Sequence, residues 1–462
     1  MAAGMILKFS MRQFFHPFIG GVALFVAVKI SAADDNTAAS AQAQVLKQAV
    51  EPKSISPNTN AAAQWFPEAG LGLFIHWGLA AVDGKGDLSW CMMANKPWND
   101  GTVTPNEYYA ATHRWKADRV NYDEMLAAAK PAGFTYAVMV TKHHDGFTFW
   151  PSAFGDLGTK HTFPGRDFVR EFVTACRKHG LKVGLYYSPP DWWFDREYKS
   201  FSMRGGPKLG MDHQPVTLPP KPKDHDAKRA EYVRGQVTEL LSNYGQIDLI
   251  WFDGGHGEIP NAEVRRLQPG IVINRRNGGG GDYGDSEGKL PAKRFTGWFE
   301  TCDTCWPSHK WSFVLNQSYD TAPEVIEKLV KLRAWGGNLL ADVGPMGDGT
   351  VPEPALAAWK EMAAWMAHSG ESVIGAKSGP WPKEVNAPVT LRDGVAYVHF
   401  LPGFKSEVVW TNAPTVTEAQ LLRTKTAIPF HQAGGNLRLT VPDNLRTTNV
   451  DVVKINLKHP GQ

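Results

Sequence analysis

The stretch IDLIWFDGG, residues 247–255, is an apolar run that ends in an aspartate and two glycines. A strand that is apolar on both faces is typical of a parallel sheet covered by helices on each side. The stretch therefore predicts a buried strand with Asp253 at its carboxyl end. Runs of the same kind recur along the chain, at residues 71–76, 136–142, 183–188, 271–275, 296–300 and 339–343.

Helix-like stretches separate these runs. Residues 166–179 and 227–244, for example, carry apolar side chains at the spacing of an amphipathic helix. Alternating strands and helices indicate a parallel sheet, and this number of units favours a closed (β/α) barrel of the TIM type. A doubly wound open sheet is the alternative.

The pattern changes after a helical stretch at residues 353–369. Short alternating segments separated by Gly, Pro and Asn follow, which indicates a C-terminal antiparallel β-sandwich. The predicted α/β chain therefore has four parts: a signal peptide at residues 1–33, a flexible lead at 34–60, a (β/α) barrel at 61–374 and a β-sandwich at 375–462.

The N-terminal segment has the features of a secretory signal peptide. Lys8 and Arg12 precede an apolar run at residues 18–28, which is shorter than the roughly 20 residues that span a bilayer. We therefore expect a secreted or periplasmic protein without a membrane anchor once the signal is removed. Removal takes away three basic residues, so the formal charge falls from +3 to 0 and nothing favours a nucleic-acid partner. The sequence does not indicate an oligomeric state.

Four cysteines are too few for a disulfide framework in a chain of 462 residues. Cys302 and Cys305 have the spacing of a zinc or redox site, but no second pair of this kind follows. We therefore predict no metal and no cofactor.

Asp253 is the best candidate for a nucleophile. A carboxylate at the end of an apolar strand is desolvated unless it reacts or is paired, and Gly254 and Gly255 allow a substrate to approach closely. The alternative is a structural aspartate that caps the next helix.

The sequence KHHDG, residues 142–146, places two imidazoles next to each other. Adjacent residues of an extended strand point to opposite faces, so a shared metal ion is awkward unless the end of the strand bends. Hydrogen bonds to sugar hydroxyls suit imidazole better, because the ring both donates and accepts. The 17 tryptophans also favour a carbohydrate ligand, although a Trp-rich core is the alternative. No G-x-S-x-G motif occurs, which argues against a serine hydrolase.

Six motifs together resemble the α-L-fucosidase family, glycoside hydrolase family 29, over residues 65–371. They are FIHWG (74–78), KHHDGF (142–147), GLYYS (184–188), WFDG (251–254), WFETC (298–302) and GGNLL (336–340).

The resemblance implies a retaining double displacement on terminal α-L-fucose, which needs two carboxyl groups roughly 5 Å apart. Asp253 matches the nucleophile of the family. Matching substrate-binding residues are His76, Trp90, His143, His144, Tyr187, Trp251, Arg276 and Trp311, the last of them beside the fucose methyl group.

Two glutamates are candidates for the acid/base. Glu287 is the first choice, because its glycine-rich approach at residues 278–281 suits a mobile loop beside the leaving group. Glu300 is the alternative acid/base or a pocket residue, since apolar neighbours raise a carboxyl pKa. Ser89 stands where the family commonly has a glutamate, so position 89 does not supply the acid.

The resemblance implies a fucosylated oligosaccharide or glycoconjugate as substrate, and residues 298–311 resemble those of family members that prefer α-1,3/1,4-linked branches. An insertion at residues 192–226 either forms a solvated surface loop, the favoured interpretation, or overhangs the pocket mouth. The alternatives are a fucose-binding lectin-like protein, an α-L-galactosidase-type glycosidase and a metal-dependent hydrolase.

Overall fold

The structure is a computed structural model that describes residues 55–98, 102–203, 205–278, 280–291, 294–404 and 407–458. The predicted signal peptide and most of the predicted lead lie outside these residues. The last part of that lead is described and is tied to the barrel. The Asn58 side chain donates to the main-chain oxygens of Pro269 and Ile271, both at 3.0 Å.

Eight parallel strands form the first sheet, in the spatial order β5-β4-β3-β2-β1-β8-β7-β6. The predicted barrel class is confirmed. The strands are β1 (Leu71–Ile75), β2 (Tyr136–Lys142), β3 (Lys182–Tyr187), β4 (Leu249–Phe252), β5 (Val272–Ile273), β6 (Tyr283–Glu287), β7 (Trp298–Trp306) and β8 (Asn338–Val343).

The barrel closes between β5 and β6, the two ends of the sheet. Among the described residues this seam has one parallel bridge, between Asn274 and Tyr283. The Asp282 N–H donates to Ile273 O at 2.8 Å, and the Asp282 carboxylate accepts from Ile273 N–H at 2.7 Å. The Asp282 side chain thus replaces part of the main-chain hydrogen bonding that is missing between β5 and β6.

Strand β6 is a feature that the sequence pattern missed. Its residues YGDSE alternate weakly and follow glycines, so they gave no apolar run. The expectation that Glu287 lies on a mobile loop is wrong, because Glu287 is the last residue of β6 and pairs with Cys302 of β7.

Helices connect the strands and cover the sheet. In α5 the Asp167 side chain caps the first turn by accepting from Arg170 N–H at 2.9 Å. The apolar stripe of α5, which includes Phe168, Phe172 and Val173, is buried. The helices are α1 (Ala80–Asp83), α2 (Pro105–Ala110), α3 (Tyr122–Ala129), α4 (Thr159–Thr162), α5 (Phe168–Lys178), α6 (His225–Ser242), α7 (Asn261–Leu267), α8 (Ala322–Ala334) and α9 (Glu353–Ser369).

Two antiparallel sheets follow α9 and enclose a second apolar core. The predicted C-terminal sandwich is confirmed as a fold class, whereas its boundary at residue 375 stays a prediction. The strands are β9 (Lys377–Ser378), β10 (Val389–Arg392), β11 (Val395–Phe400), β12 (Val408–Trp410), β13 (Val416–Leu421), β14 (Thr426–Ala427), β15 (Phe430–Ala433), β16 (Asn436–Leu439) and β17 (Asp451–Leu457).

Within the described ranges, no helix combines the length and the apolar character needed to cross a membrane. Cys302 and Cys305 are buried and form no disulfide with each other in this structure.

Candidate active site

Asp253 lies directly after β4, at the carboxyl end of the barrel. Its carboxylate is nearly buried and accepts a hydrogen bond from Tyr186 OH at 2.8 Å. Its other oxygen lies 3.2 Å from Arg276 Nη1. The next helix, α7, begins at Asn261 with Pro260 as its N-cap. The capping alternative for Asp253 is therefore wrong, and the carboxylate is held by two side chains within a cavity.

Arg276 joins Asp253 to Glu287. The Nη1 atom that contacts Asp253 Oδ1 at 3.2 Å also lies 3.0 Å from Glu287 Oε2, without the alignment of a hydrogen bond. Since both oxygens contact one nitrogen atom, they are separated by no more than the two distances together, about 6.2 Å. The structure therefore brings the first-choice acid/base and the candidate nucleophile together.

Burial raises the pKa of Glu287 to about 7, and the nearby Asp253 carboxylate adds to this rise, although Arg276 opposes it. A carboxyl with this pKa holds its proton in mildly acidic solution and releases it near neutrality. These are the requirements for a general acid that later acts as a base.

Asp285 of β6 fixes the position of Arg276. Its carboxylate accepts from Arg276 Nε at 2.7 Å and from Arg275 Nε at 2.5 Å. Despite burial, these two guanidinium groups hold the pKa of Asp285 below its ordinary value. The sequence analysis missed this residue, which closes a clamp across the barrel seam.

Glu300 lies in the barrel interior and not in the cavity that Asp253 and Glu287 line. Its carboxylate accepts hydrogen bonds from Tyr136 OH at 2.6 Å, Trp251 Nε1 at 3.0 Å and Tyr283 OH at 3.1 Å. The expectation that Glu300 is an acid/base or a pocket residue does not fit this position, because protein donors already occupy both oxygens.

We expect Glu300→Gln to flatten the pH dependence of stability. Burial raises the pKa of Glu300 to about 7, so between pH about 4.5 and 7 the unfolded chain releases a proton that the folded chain keeps. The free energy of unfolding then falls as the pH rises, by about 3 kcal/mol for this group. Urea unfolding at pH 5 and pH 7.5 measures the difference. Equal pH dependence in both proteins would contradict the assignment.

Three histidines surround the same cavity, and each has its Nδ1 atom bonded to a neighbour. His143 Nδ1 lies 2.8 Å from Ser89 Oγ, and His144 Nδ1 lies 2.5 Å from Ser188 Oγ. His76 Nδ1 lies 2.6 Å from Asp342 Oδ1. Burial lowers the pKa of all three rings, that of His144 to about 3. The imidazoles are therefore neutral near pH 7 and offer Nε2 to a ligand.

His143 and His144 lie side by side and do not point to opposite faces, which is the exception expected for a strand end that bends. Strand β2 ends at Lys142, so the two residues lie beyond the extended segment, and their ring centroids are 4.3 Å apart. His144 Nε2 is 3.5 Å from Asp253 Oδ2. Both rings thus serve one site.

His143, His144 and Asp253 are a group within the described residues whose ligand atoms, all within 4.8 Å of one another, could hold a metal ion. A cation at this point would meet the guanidinium of Arg276, which already contacts the Asp253 carboxylate. A metal cation and the Arg276 guanidinium would then share one carboxylate, and two positive charges this close repel each other. The arrangement suits hydroxyl groups of a ligand better.

Aromatic rings form the walls of the cavity. The Trp251 ring stacks on Tyr186 at 5.6 Å, and the Arg276 guanidinium lies 4.4 Å from the Trp251 ring centre. Trp311 contacts His76, and Trp90 meets His144 edge to face. The cavity is lined by Phe74, His76, Leu88, Tyr186, Trp251, Asp253, Arg276, Glu287, Cys302 and Trp311.

The prediction of Tyr187 as a pocket residue is wrong. Neighbouring residues of a strand face opposite sides, and Tyr186 takes the inner side of β3. Tyr187 faces the helices, where its OH donates to Gln236 of α6 at 2.8 Å. The sequence did contain a signal for this choice. Side chains alternate along the GLYYS motif, so Tyr186 and Tyr187 had to face opposite sides, and only one of them could face the pocket.

The insertion that follows β3, residues 192–226, contacts the site through its first residue, Trp192. The Trp192 ring stacks on His144, with centroids 5.5 Å apart, and meets Trp90 at 5.2 Å. A larger surface cleft of about 1100 Å³ lies beyond the next residue, Trp193. The acidic residues of that cleft, Asp156 and Glu197, are exposed, so the smaller cavity is the candidate for chemistry.

The model of the family described as Alpha-L-fucosidase matches residues 37–371. The chain belongs to the α-L-fucosidase family. The resemblance drawn from the six motifs is confirmed, and this family member is a glycoside hydrolase.

Curated relatives include tissue alpha-L-fucosidases of two rodents. The Mus musculus enzyme is 26% identical over 394 residues, which cover 77% of this chain and 81% of the relative. The Rattus norvegicus enzyme is 28% identical over 391 residues, with coverages of 77% and 80%. The similarity thus spans most of both proteins.

Solved fucosidase structures share the fold. Alpha-L-fucosidase isoenzyme 1 from Paenibacillus thiaminolyticus has a TM-score of 0.75 and 28% identity, over 86% of this chain and 99% of the other. A trapped covalent intermediate of a Bacteroides thetaiotaomicron α-L-fucosidase with 2-fluoro-fucosyl fluoride has a TM-score of 0.72 and 22% identity, with coverages of 88% and 98%. The second likeness shows the fold alone.

We expect Tyr186→Phe to lower the activity of this family member and Tyr187→Phe to lower only its stability. Tyr186→Phe removes a hydrogen bond to a carboxylate, worth about 1.5–3 kcal/mol, so kcat/KM on an aryl α-L-fucoside falls by about 10- to 100-fold. Tyr187→Phe removes a bond to Gln236 outside the cavity, which lowers stability and leaves kcat/KM near that of the unchanged enzyme. Initial rates and thermal unfolding measure both. A larger kinetic loss in Tyr187→Phe would contradict the placement.

Proposed function

We propose that this protein is an exo-acting retaining α-L-fucosidase that removes terminal α-L-fucose from oligosaccharides or glycoconjugates. The observation that carries the proposal is the shared Arg276 Nη1, which limits the separation of the Asp253 and Glu287 oxygens to about 6.2 Å. Retaining glycosidases have carboxyl groups about 5–5.5 Å apart, whereas inverting enzymes need about 6.5–9.5 Å for an intervening water. The upper limit for these two oxygens lies below the range of inverting enzymes, which supports direct attack of Asp253 on the sugar.

The proposed reaction has two displacements. In the first, an Asp253 oxygen bonds to C1 of fucose while Glu287 gives its proton to the departing glycosidic oxygen. In the second, Glu287 takes a proton from water, whose oxygen bonds to C1 as the bond to Asp253 breaks. Glu287 regains its proton and Asp253 its charge. For the Bacteroides thetaiotaomicron enzyme, a covalent intermediate has been trapped in complex with 2-fluoro-fucosyl fluoride.

The pocket supplies partners for sugar hydroxyl groups. Several buried polar atoms in and around it have no hydrogen-bond partner within the described ranges, and buried polar groups are normally paired. A hydroxyl-rich ligand would satisfy these donors and acceptors. The atoms are Trp90 Nε1, His143 Nε2, His144 Nε2, Glu287 Oε2 and Trp311 Nε1.

An apolar part of the same pocket suits the methyl group of fucose. Phe74, Leu88 and Trp311 line it together. Burial of one methyl group contributes about 1 kcal/mol, so discrimination against a sugar with a hydroxymethyl group is modest. We therefore propose fucosidase activity with weaker α-L-galactosidase activity on the same pocket.

The test is the configuration of the first sugar released from an aryl α-L-fucoside, followed by proton NMR before mutarotation. We expect α-L-fucose to form first. Early β-L-fucose would overturn the retaining mechanism, and no hydrolysis of any fucoside would overturn the activity.

Linkage and location are further parts of the proposal. We propose a preference for α-1,3/1,4-linked branches, supported by the resemblance of residues 298–311 to family members with that preference. Relative rates on a panel of α-1,2, α-1,3, α-1,4 and α-1,6 fucosides test it.

We also propose export through the signal peptide at residues 1–33. The N-terminal sequence of the mature protein tests this, and an intact Met1 would contradict it.

A further inference from the structure

Asp342 is a buried carboxyl group that the two displacements do not use. It lies in β8, opposite Phe74 of β1, and is fully shielded from solvent. Its Oδ1 lies 2.6 Å from His76 Nδ1, and its Oδ2 has no hydrogen-bond partner in the part of the chain that the structure describes. His76 is therefore its partner among the described side chains, and the main-chain N–H of Val343 also acts on the carboxyl group, favouring its charged form.

The three pocket histidines differ in the partner of Nδ1. His143 and His144 contact serine hydroxyl groups, which rotate and can either donate or accept. His76 contacts a carboxyl group on β8, a strand that is paired with β1 on one side and β7 on the other.

The surroundings of Asp342 favour its neutral form. Among the described residues no lysine or arginine forms an ion pair with it, and an unpaired buried charge is costly. Burial, together with Asp87 and Asp303, raises the pKa of Asp342 well above its ordinary value. Burial, together with His143, lowers the pKa of His76. A neutral Asp342 carboxyl donates its O–H to His76 Nδ1, and in that arrangement the proton of the ring is on Nε2.

We propose that Asp342 is a positioning residue that fixes the ring plane and the Nε2–H tautomer of His76. His76 lines the cavity together with Asp253. In this tautomer it is a hydrogen-bond donor towards an oxygen of the bound sugar. The inference rests on the proposed function, because it assigns a role within the same fucose pocket.

The test compares Asp342→Asn with Asp342→Leu on 4-nitrophenyl α-L-fucoside. Leucine has a similar size but no polar atom, so kcat/KM falls by about 10- to 100-fold, as for the loss of other partners that orient a functional histidine. The loss lies mainly in KM. Asparagine donates from its amide to Nδ1 and recovers most of the activity. An asparagine variant as impaired as the leucine variant would overturn the proposal.

A double-mutant cycle separates positioning from general destabilisation. In a His76→Phe background Asp342→Leu adds no further loss of kcat/KM, because its effect acts through the missing ring. An equal loss in both backgrounds would overturn the proposal.

Nitrogen NMR of the unsubstituted enzyme labelled with ¹⁵N-histidine gives a readout that does not depend on variant folding. The signal absent from His76→Phe identifies the ring, and its shifts must show a proton on Nε2. A proton on Nδ1 instead would overturn the tautomer. Retaining hydrolysis by the unsubstituted enzyme is measured separately. A failure of the proposed function can therefore be distinguished from a failure of this inference.

Discussion

Asp253→Gly is expected to lower kcat on an aryl α-L-fucoside by at least about 10⁴-fold, because no side chain remains to bond to C1. The variant should still fold, since Arg276 keeps its contacts with Asp285 and Glu287. Initial rates and the thermal midpoint measure the two properties. Activity within about tenfold of the unchanged enzyme would exclude Asp253 as the nucleophile.

Azide provides a second readout for the same variant. The glycine leaves a space beside C1, where a small anion can attack an activated aryl fucoside from the face that Asp253 occupied. One displacement then gives β-L-fucosyl azide and the phenolate, detectable by NMR. A matched control is Asp451→Gly in the β-sandwich, where the buried carboxylate accepts from Arg446 and Thr447. That variant should lose stability, keep its kcat and form no azide product.

Glu287→Gln is expected to lower kcat/KM on fucosyl oligosaccharides by about 10²- to 10⁴-fold, the usual contribution of general acid–base catalysis. A sugar leaving group needs the proton, whereas a nitrophenolate leaves without it. The loss in kcat/KM on a nitrophenyl fucoside should therefore be much smaller. Equal losses on both substrates would argue against Glu287 as the acid.

The pH profile gives Glu287 a separate test. On fucosyl oligosaccharides the free enzyme needs Glu287 in its protonated form. Burial raises the pKa of Glu287 to about 7, so kcat/KM on these substrates should fall as the pH rises above that value. This limb should disappear in Glu287→Gln. Glu300→Gln is the matched control, because burial also raises the pKa of Glu300 to about 7 although it lies outside the cavity. Loss of the limb in Glu300→Gln alone would exchange the two roles.

The sequence predicts the barrel well because its strands are apolar on both faces. The exception is β6, whose residues 283–287 include a glycine, an aspartate and a glutamate. Their polar side chains are stabilised by Arg275 and Arg276 from beyond β5. Such contacts depend on closure of the barrel, and a pattern of neighbouring residues does not contain them.

The candidate site also contains residues that the sequence predicts and residues whose roles become visible only in the folded structure. Asp253 was accessible from the apolar strand that it follows, whereas Arg276 was found through the resemblance to the family and Glu287 was chosen on the expectation of a loop. The choice between Tyr186 and Tyr187 depends on which face of β3 points inward. The roles of Asp285 and Asp342 depend on partners that are close in space only after folding, since Asp342 and His76 are 266 positions apart in the sequence.

The clamp across the barrel seam has a consequence for how the enzyme tolerates motion. Between β5 and β6, guanidinium and carboxylate groups supply much of the connection that main-chain pairing gives elsewhere in the wall. The same guanidinium contacts both reacting groups. We therefore expect a motion that widens this part of the wall to displace the Asp253 and Glu287 carboxylates together, because both contact Arg276.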